Sequence, residues 1–228
     1  MSDYNYDSFS PDNYNLQSAD GPEVGQKAPD FSLETHTGEK RNLLDFEGEC
    51  LVLELGSITC PLFLTRHESM KDIAKTYPMA AHAVLYVREA HPGAKIPAHT
   101  EMDEKKAVAG LLSSELDDPR DILVDGLLGE AHVAYGSMPN AIYIIDKEGI
   151  VRFKAPWNNS STTRKALDAV LAGKPANFKS YFKPAKPQIV FSTVNRAGEG
   201  SKADFFRSLP ILIWNVLIRN NIKTFLKK

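Results

Sequence analysis

The sequence predicts an α/β chain, with a central mixed sheet flanked by helices and a helical extension at the C-terminus. Three observations predict it. Leu51-Val-Leu-Glu-Leu55, Ala83-Val-Leu-Tyr-Val87 and Ala141-Ile-Tyr-Ile-Ile145 are apolar runs of strand length, and the second is apolar on both faces, as in a central parallel strand. From residue 61 to about 76, Phe63, His67, Met70, Ala74 and Tyr77 recur at alternating spacings of four and three, the period of one helix face. The first run ends in Gly56-Ser-Ile-Thr-Cys60-Pro61, so a thiol falls where a strand gives way to a helix.

Residues 1–22 are rich in Asn, Asp, Ser and Tyr with almost no aliphatics, too little apolar surface to offset the entropy of ordering, and are expected to form a disordered tail. Phe31-Ser-Leu33 and Arg41-Asn-Leu-Leu44, around Thr37-Gly38, read as an entry hairpin. Pro78 closes the first helix, and Glu101 to about Ser113 reads as a second. Asp121-Ile-Leu-Val124 is a further strand, Asp146-Lys-Glu-Gly149 a tight turn into Ile150-Val-Arg-Phe153, and Thr162 to Ala172 a closing helix stopped by Gly173. The order is βαβα followed by an antiparallel ββα. That is the thioredoxin-like fold, assigned to residues 23–175, with residues 176–228 as the extension.

Composition narrows the function. A charge of −2, with no helix-turn-helix, zinc-ligand spacing or glycine-rich phosphate loop, argues against nucleic acid and metal. The N-terminus lacks a basic flank and apolar core, and no apolar run reaches the ~18 residues of a membrane span, which places the body of the protein in the cytoplasm. Cys50 and Cys60 are the only cysteines and do not make a secreted disulfide scaffold. With a strand between them they stand too far apart to pair. Phe63 stands three places after Cys60, so the dithiol spacing is missing and the chemistry needs an external thiol reductant, with no bound cofactor.

A helix N-terminus carries unpaired N–H groups and partial positive charge, which favours the thiolate of Cys60, and Pro61 suits the first helical position. An inert buried cysteine is the competing reading. Ligands of open α/β sheets sit beyond the carboxyl ends of the parallel strands, where Glu89 and His91 follow the next strand as Cys60 follows the first. The last central strand runs the other way, so Met138-Pro139 before it is expected beside Cys60, as a candidate cis peptide and, with Phe63, a wall of the substrate pocket.

Two motifs are similar to a known family. Gly56-Ser-Ile-Thr-Cys60-Pro-Leu-Phe63 resembles the active-site segment of the iodothyronine deiodinases, with cysteine in place of selenocysteine, and Tyr86-Val-Arg-Glu89-Ala-His91-Pro92 resembles their Glu-Ala-His-Pro segment. Pro97-Ala-His99-Thr100 is similar to the stretch where they hold another histidine, and Gly25…Ala28-Pro-Asp-Phe31 resembles the opening of the related redoxin and peroxiredoxin superfamily. Ile58 stands where deiodinases carry a further cysteine, and Leu53 where peroxiredoxins carry proline.

The resemblance implies reductive dehalogenation of an iodinated phenol. A soft thiolate attacks iodine, His91 or His99 protonates the ring carbon, and Glu89 orients an imidazole or relays its proton. Ser57 and Thr59 are expected to hydrogen-bond the sulfur and lower its pKa. The same residues would suit a one-cysteine peroxidase, in which Cys60 becomes a sulfenic acid, and a non-catalytic redoxin-like module is the third reading. His67 reads as a packed core histidine and Cys50 as a buried filler.

In the extension, Phe178 to Val194 contains Pro184, Pro187 and a short β-like run, Ile189-Val-Phe191, and reads as an extended arm. Ala203 to Leu226 reads as a basic, apolar helix suited to a membrane surface, to burial against the domain, or to a second subunit as a homodimer contact.

Overall fold

The computed structural model describes residues 4–16 and 20–226. At its centre lies β3 (Cys50–Gly56), buried along its whole length. Its Leu and Val side chains suit a strand covered on both faces. β4 (Ala81–Tyr86) runs parallel to it, with Leu51 opposite Ala81 and Gly56 opposite Tyr86, while β6 (Ile142–Asp146) runs antiparallel on the other side. β5 (Asp121–Val124) extends the sheet parallel to β4, β7 (Val151–Ala155) pairs antiparallel with β6, and the hairpin of β1 (Ser32–Thr35) and β2 (Lys40–Asn42) joins antiparallel to β5. The resulting order is β2-β1-β5-β4-β3-β6-β7.

α1 (Pro61–Thr76) connects β3 to β4, and α2 (Met102–Ser114) connects β4 to β5. A short α3 (Glu130–Ala134) precedes β6, and α4 (Ser160–Leu171) follows β7. Met70 and Ile73 of α1 pack with Ala166 and Leu167 of α4 over Val52, Ile142 and Ile144, while Leu51, Leu53, Leu85, Tyr143 and Ile145 belong to a separate core cluster. Because β3 and β4 are parallel and β6 opposes them, residues 56–60, 87–91 and 138–140 meet at one edge of the sheet. Gly56 is required there: a Cβ on it would come within 2.2 Å of the Phe63 ring.

Three expectations give way. The first is the disordered tail: residues 4–16 are packed, with Tyr4, Phe9, Tyr14 and Leu16 buried, while residues 1–3 and 17–19 lie outside the described residues. The reading by aliphatic content missed the aromatics, each of which buries a large area. The rings of Tyr4, Tyr6 and Tyr14 surround the Arg88 guanidinium at 4.5–5.0 Å, and Arg88 donates to the carbonyls of Tyr4 and Asn13. The second is the extended arm: Ile189-Val-Phe191 lies in α5 (Pro187–Ala197). Pro187 opens this helix, and Val190, Thr193, Val194 and Ala197 form a buried face on an element that packs against α1. Helical burial overrides the β preference of Ile and Val. The third is the cis peptide: among the described residues all peptide bonds are trans, Met138–Pro139 included. That is the ordinary preference for an X–Pro bond.

Behind the site, Glu54 is fully buried in β3 and accepts from Arg120 Nη1 at 2.6 Å, Asn140 Nδ2 at 2.9 Å and Asn158 Nδ2 at 2.6 Å. Arg120 also donates to Asp118, which pairs with His67 Nε2 at 3.0 Å. Burial alone would weaken the Arg120 charge, but Asp118 and Glu54 hold its pKa above the ordinary arginine value. Removing one member of such a group leaves a buried charge and two amides without partners. Glu54→Ala is therefore expected to cost about 3 kcal/mol in urea unfolding. A loss below about 1 kcal/mol would show that water replaces the carboxylate.

Candidate active site

Cys60 caps α1 from its N-terminus with φ −94° and ψ 109°, and Pro61 occupies the first helical position. Pro61 has no N–H to leave unpaired; the Cys60 side chain makes no capping hydrogen bond, but the nearby N–H groups of Phe63 and Leu62 pull its pKa down. Burial wins. The residue is 2% exposed, and its thiol is pushed up to about 11, so the expectation of a ready thiolate is corrected for this closed form. Cys60 and Cys50 are both free, and Cys50 is a fully buried filler with its thiol pushed up to about 12.

The sulfur opens on a cavity of about 280 Å³. Cys60, Leu62, Ala90, His91, Pro139 and Trp157 form the sheet-edge wall. Phe9, Tyr14 and Leu16 of the N-terminal segment close it from one direction. The C-terminal α6 (Ser201–Leu212) and the π-helical segment Ile213–Asn220 close it with Phe205, Leu209, Leu212 and Val216. Among the described residues the lining contains no Asp, Glu, Lys or Arg. His91 is packed between Phe9 and Phe205 at ring-centroid distances of 4.1 and 5.2 Å, and among the described residues its buried Nδ1 has no hydrogen-bond partner. Burial pulls its pKa down to about 3, so the ring is neutral.

The remaining expected residues form a polar cluster next to this chamber. Glu89 is buried and bridges three groups: Thr59 Oγ1 donates to Oε2 at 2.5 Å, Tyr86 OH donates to Oε1 at 2.5 Å, and His99 Nε2 lies 3.0 Å from Oε1. Ser57 Oγ accepts the Ala90 N–H at 3.1 Å, and Thr59 Oγ1 accepts the His91 N–H at 3.3 Å. Among the described residues neither hydroxyl bonds the sulfur; they tie the two strand-end loops together instead. The structure therefore gathers Ser57, Thr59, Cys60, Glu89, His91 and His99 at one edge, with only Cys60 and His91 facing the chamber. Pro139 lines it as expected. Phe63 and Met138 do not: Phe63 packs under Gly56 near Arg120, and the Met138 carbonyl accepts from His132 Nε2 at 3.1 Å. Sequence reading missed Tyr86, whose position at the end of β4, three residues before Glu89, was the available signal.

A mixed sheet of this order with a lone thiol capping the helix after its central strand defines a thioredoxin-like protein. Solved structures agree on the fold. An uncharacterized conserved protein from Geobacillus kaustophilus aligns with TM-score 0.57 and 20% identity over 72% of this chain and 94% of that one. A putative thiol:disulfide interchange protein DsbE from Chlorobium tepidum aligns with TM-score 0.52 and 18% identity over 67% and 98%. The sequence profile of iodothyronine deiodinase matches residues 8–170, and the chain belongs to that family. Thyroxine 5-deiodinase of Gallus gallus is 28% identical over 141 residues, 56% of this chain and 54% of that protein. Thioredoxin-like protein YneN of Bacillus subtilis is 30% identical over 134 residues, 58% and 71%. This chain spans about half the length or less of the first deiodinases it matches.

Proposed function

We propose that this protein is a thiol-dependent oxidoreductase that removes iodine from an uncharged iodinated aromatic, a phenol, with Cys60 as nucleophile and an external thiol as reductant. The observation that carries the reading is Cys60 at the start of α1, facing a carbon-lined chamber that offers no counter-ion to a charged substrate. A low-dielectric wall leaves such a substrate charge unpaired and costly.

In this reading the Cys60 thiolate takes iodine as the carbon–iodine bond breaks. A sulfur–iodine bond forms, the electron pair stays on the ring carbon, and that carbon takes a proton. One external thiol then displaces iodide and forms a mixed disulfide; a second frees Cys60 and leaves as the oxidised disulfide. His91, neutral and with a free Nδ1, hydrogen-bonds the phenol. The ring-carbon proton is assigned to the His99–Glu89 pair next to the chamber, because burial keeps His91 from taking up the extra proton it would have to donate.

Burial of Cys60 favours a second reading, a non-catalytic redoxin-like module. Iodide release from an iodinated phenol with excess thiol, run beside peroxide consumption, separates them. Iodide release is expected, abolished by Cys60→Ser and lowered about 100-fold by Glu89→Gln. Peroxide turnover without iodide release would replace dehalogenation by peroxidase chemistry, and neither activity would leave the binding module.

A further inference from the structure

The helix that closes the chamber has two apolar faces, and only one is used. From α6 through the π-helical segment to α7 (Asn221–Leu226), Phe205, Leu209, Leu212 and Val216 turn toward the chamber. Ile211, Trp214, Ile218, Ile222 and Phe225 turn outward, Trp214 being 60% and Phe225 70% exposed. Spacings of three and four keep these outer residues in one stripe, the pattern of an interfacial helix. Such a contiguous apolar patch marks an interaction surface. Among the described residues no helix is long and apolar enough to cross a membrane.

Charge decides what fits the stripe. After Asp204 the sequence has no acidic residue, while Arg207, Arg219, Lys223, Lys227 and Lys228 follow. Arg219 and Lys223 are exposed, each one residue beyond an outward isoleucine. A second copy seated on the same stripe about a two-fold axis would set this positive charge against itself, since such an interface is self-complementary. An anionic lipid surface matches both features: acyl chains take Trp214 and the isoleucines, and headgroups take the cations.

We infer that the outer face of residues 205–226 docks the protein on an anionic lipid membrane, lying in the plane of the interface. The inference stands apart from the chemistry at Cys60, since vesicle binding does not require turnover. It also sets the chamber directly beneath the surface from which an apolar molecule would arrive.

Co-sedimentation of the full chain with phosphatidylcholine vesicles, with and without phosphatidylglycerol, tests this. Binding is expected with the anionic vesicles only, falling as salt rises. Arg219→Gln with Lys223→Gln should weaken it roughly 25-fold, about fivefold per charge. Trp214→Ser with Ile218→Ser should weaken it at least as much. These residues lie outside the chamber, so the variants keep its lining. No binding to anionic vesicles, or binding unchanged in both double variants, overturns the inference. So does a dimer in sedimentation velocity that Trp214→Ser with Ile218→Ser dissolves while vesicles are ignored.

Discussion

Deleting residues 1–16 is expected to speed alkylation of Cys60 by up to about 100-fold at neutral pH, the thiolate gain for a thiol that falls from about 11 toward its ordinary 9.0. Only the thiolate reacts, and its fraction changes about tenfold per pH unit. In the closed form desolvation dominates, and the Leu62 and Phe63 N–H groups recover only part of the loss. Phe9, Tyr14 and Leu16 supply one side of the hydrocarbon cover. Deletion also strips Arg88 of its aromatic partners, so a gentler variant is needed beside it. Phe9→Ser with Leu16→Ser keeps the tyrosines around Arg88 while wetting the chamber, and should give an intermediate rate. Peptide mass mapping after iodoacetamide treatment separates Cys60 from Cys50. A native protein whose Cys60 already reacts like free cysteine would refute a closed resting form.

Lowering the pH from 7.5 to 5 is expected to cost about 4 kcal/mol of stability, about 2 from each of His91 and His132. Burial pulls both down to about 3: His91 among aromatic rings, and His132 also near the Arg88 charge while it donates to the Met138 carbonyl. Unfolded, each takes a proton near pH 6.5 that the folded form refuses. The stability from their neutral burial is complete above that value and is lost as pH falls toward 3. Asp125, whose carboxyl burial pushes up, works in the opposite sense at the acid end. Urea unfolding at the two pH values measures the loss, and His91→Phe should remove about half of it. Equal stability at both would mean that the native state protonates these rings.

What could be read without coordinates was what depends on local order. A strand-length apolar run ending in Cys-Pro locates Cys60 at a helix start, because proline and the thiol each have a physical reason to be there. The parallel-strand rule brings Glu89 and His91 to the same edge. Its refinement was not legible: that Glu89 joins Tyr86 and His99 while His91 alone faces the chamber depends on rotamers set by packing. The N-terminal cover rests on Arg88, some 75 to 84 residues from the carbonyls it binds, and no local pattern announces such a contact. Glu54 sits in an apolar run with nothing nearby in sequence to balance it, its cation lying 66 residues on. α5 was misread because Ile-Val prefers strands until a neighbouring helix offers a surface.

The placement of the two cysteines governs the tempo of any redox cycle. Cys50 begins β3 and Cys60 follows its far end, about 20 Å away along a seven-residue strand. Under the proposed function Cys50 lies too far away to relieve an oxidised Cys60, so the external thiol has to pass the aromatic cover at each turnover. A compact reductant such as a small dithiol is then expected to outrun a bulky protein donor of equal potential.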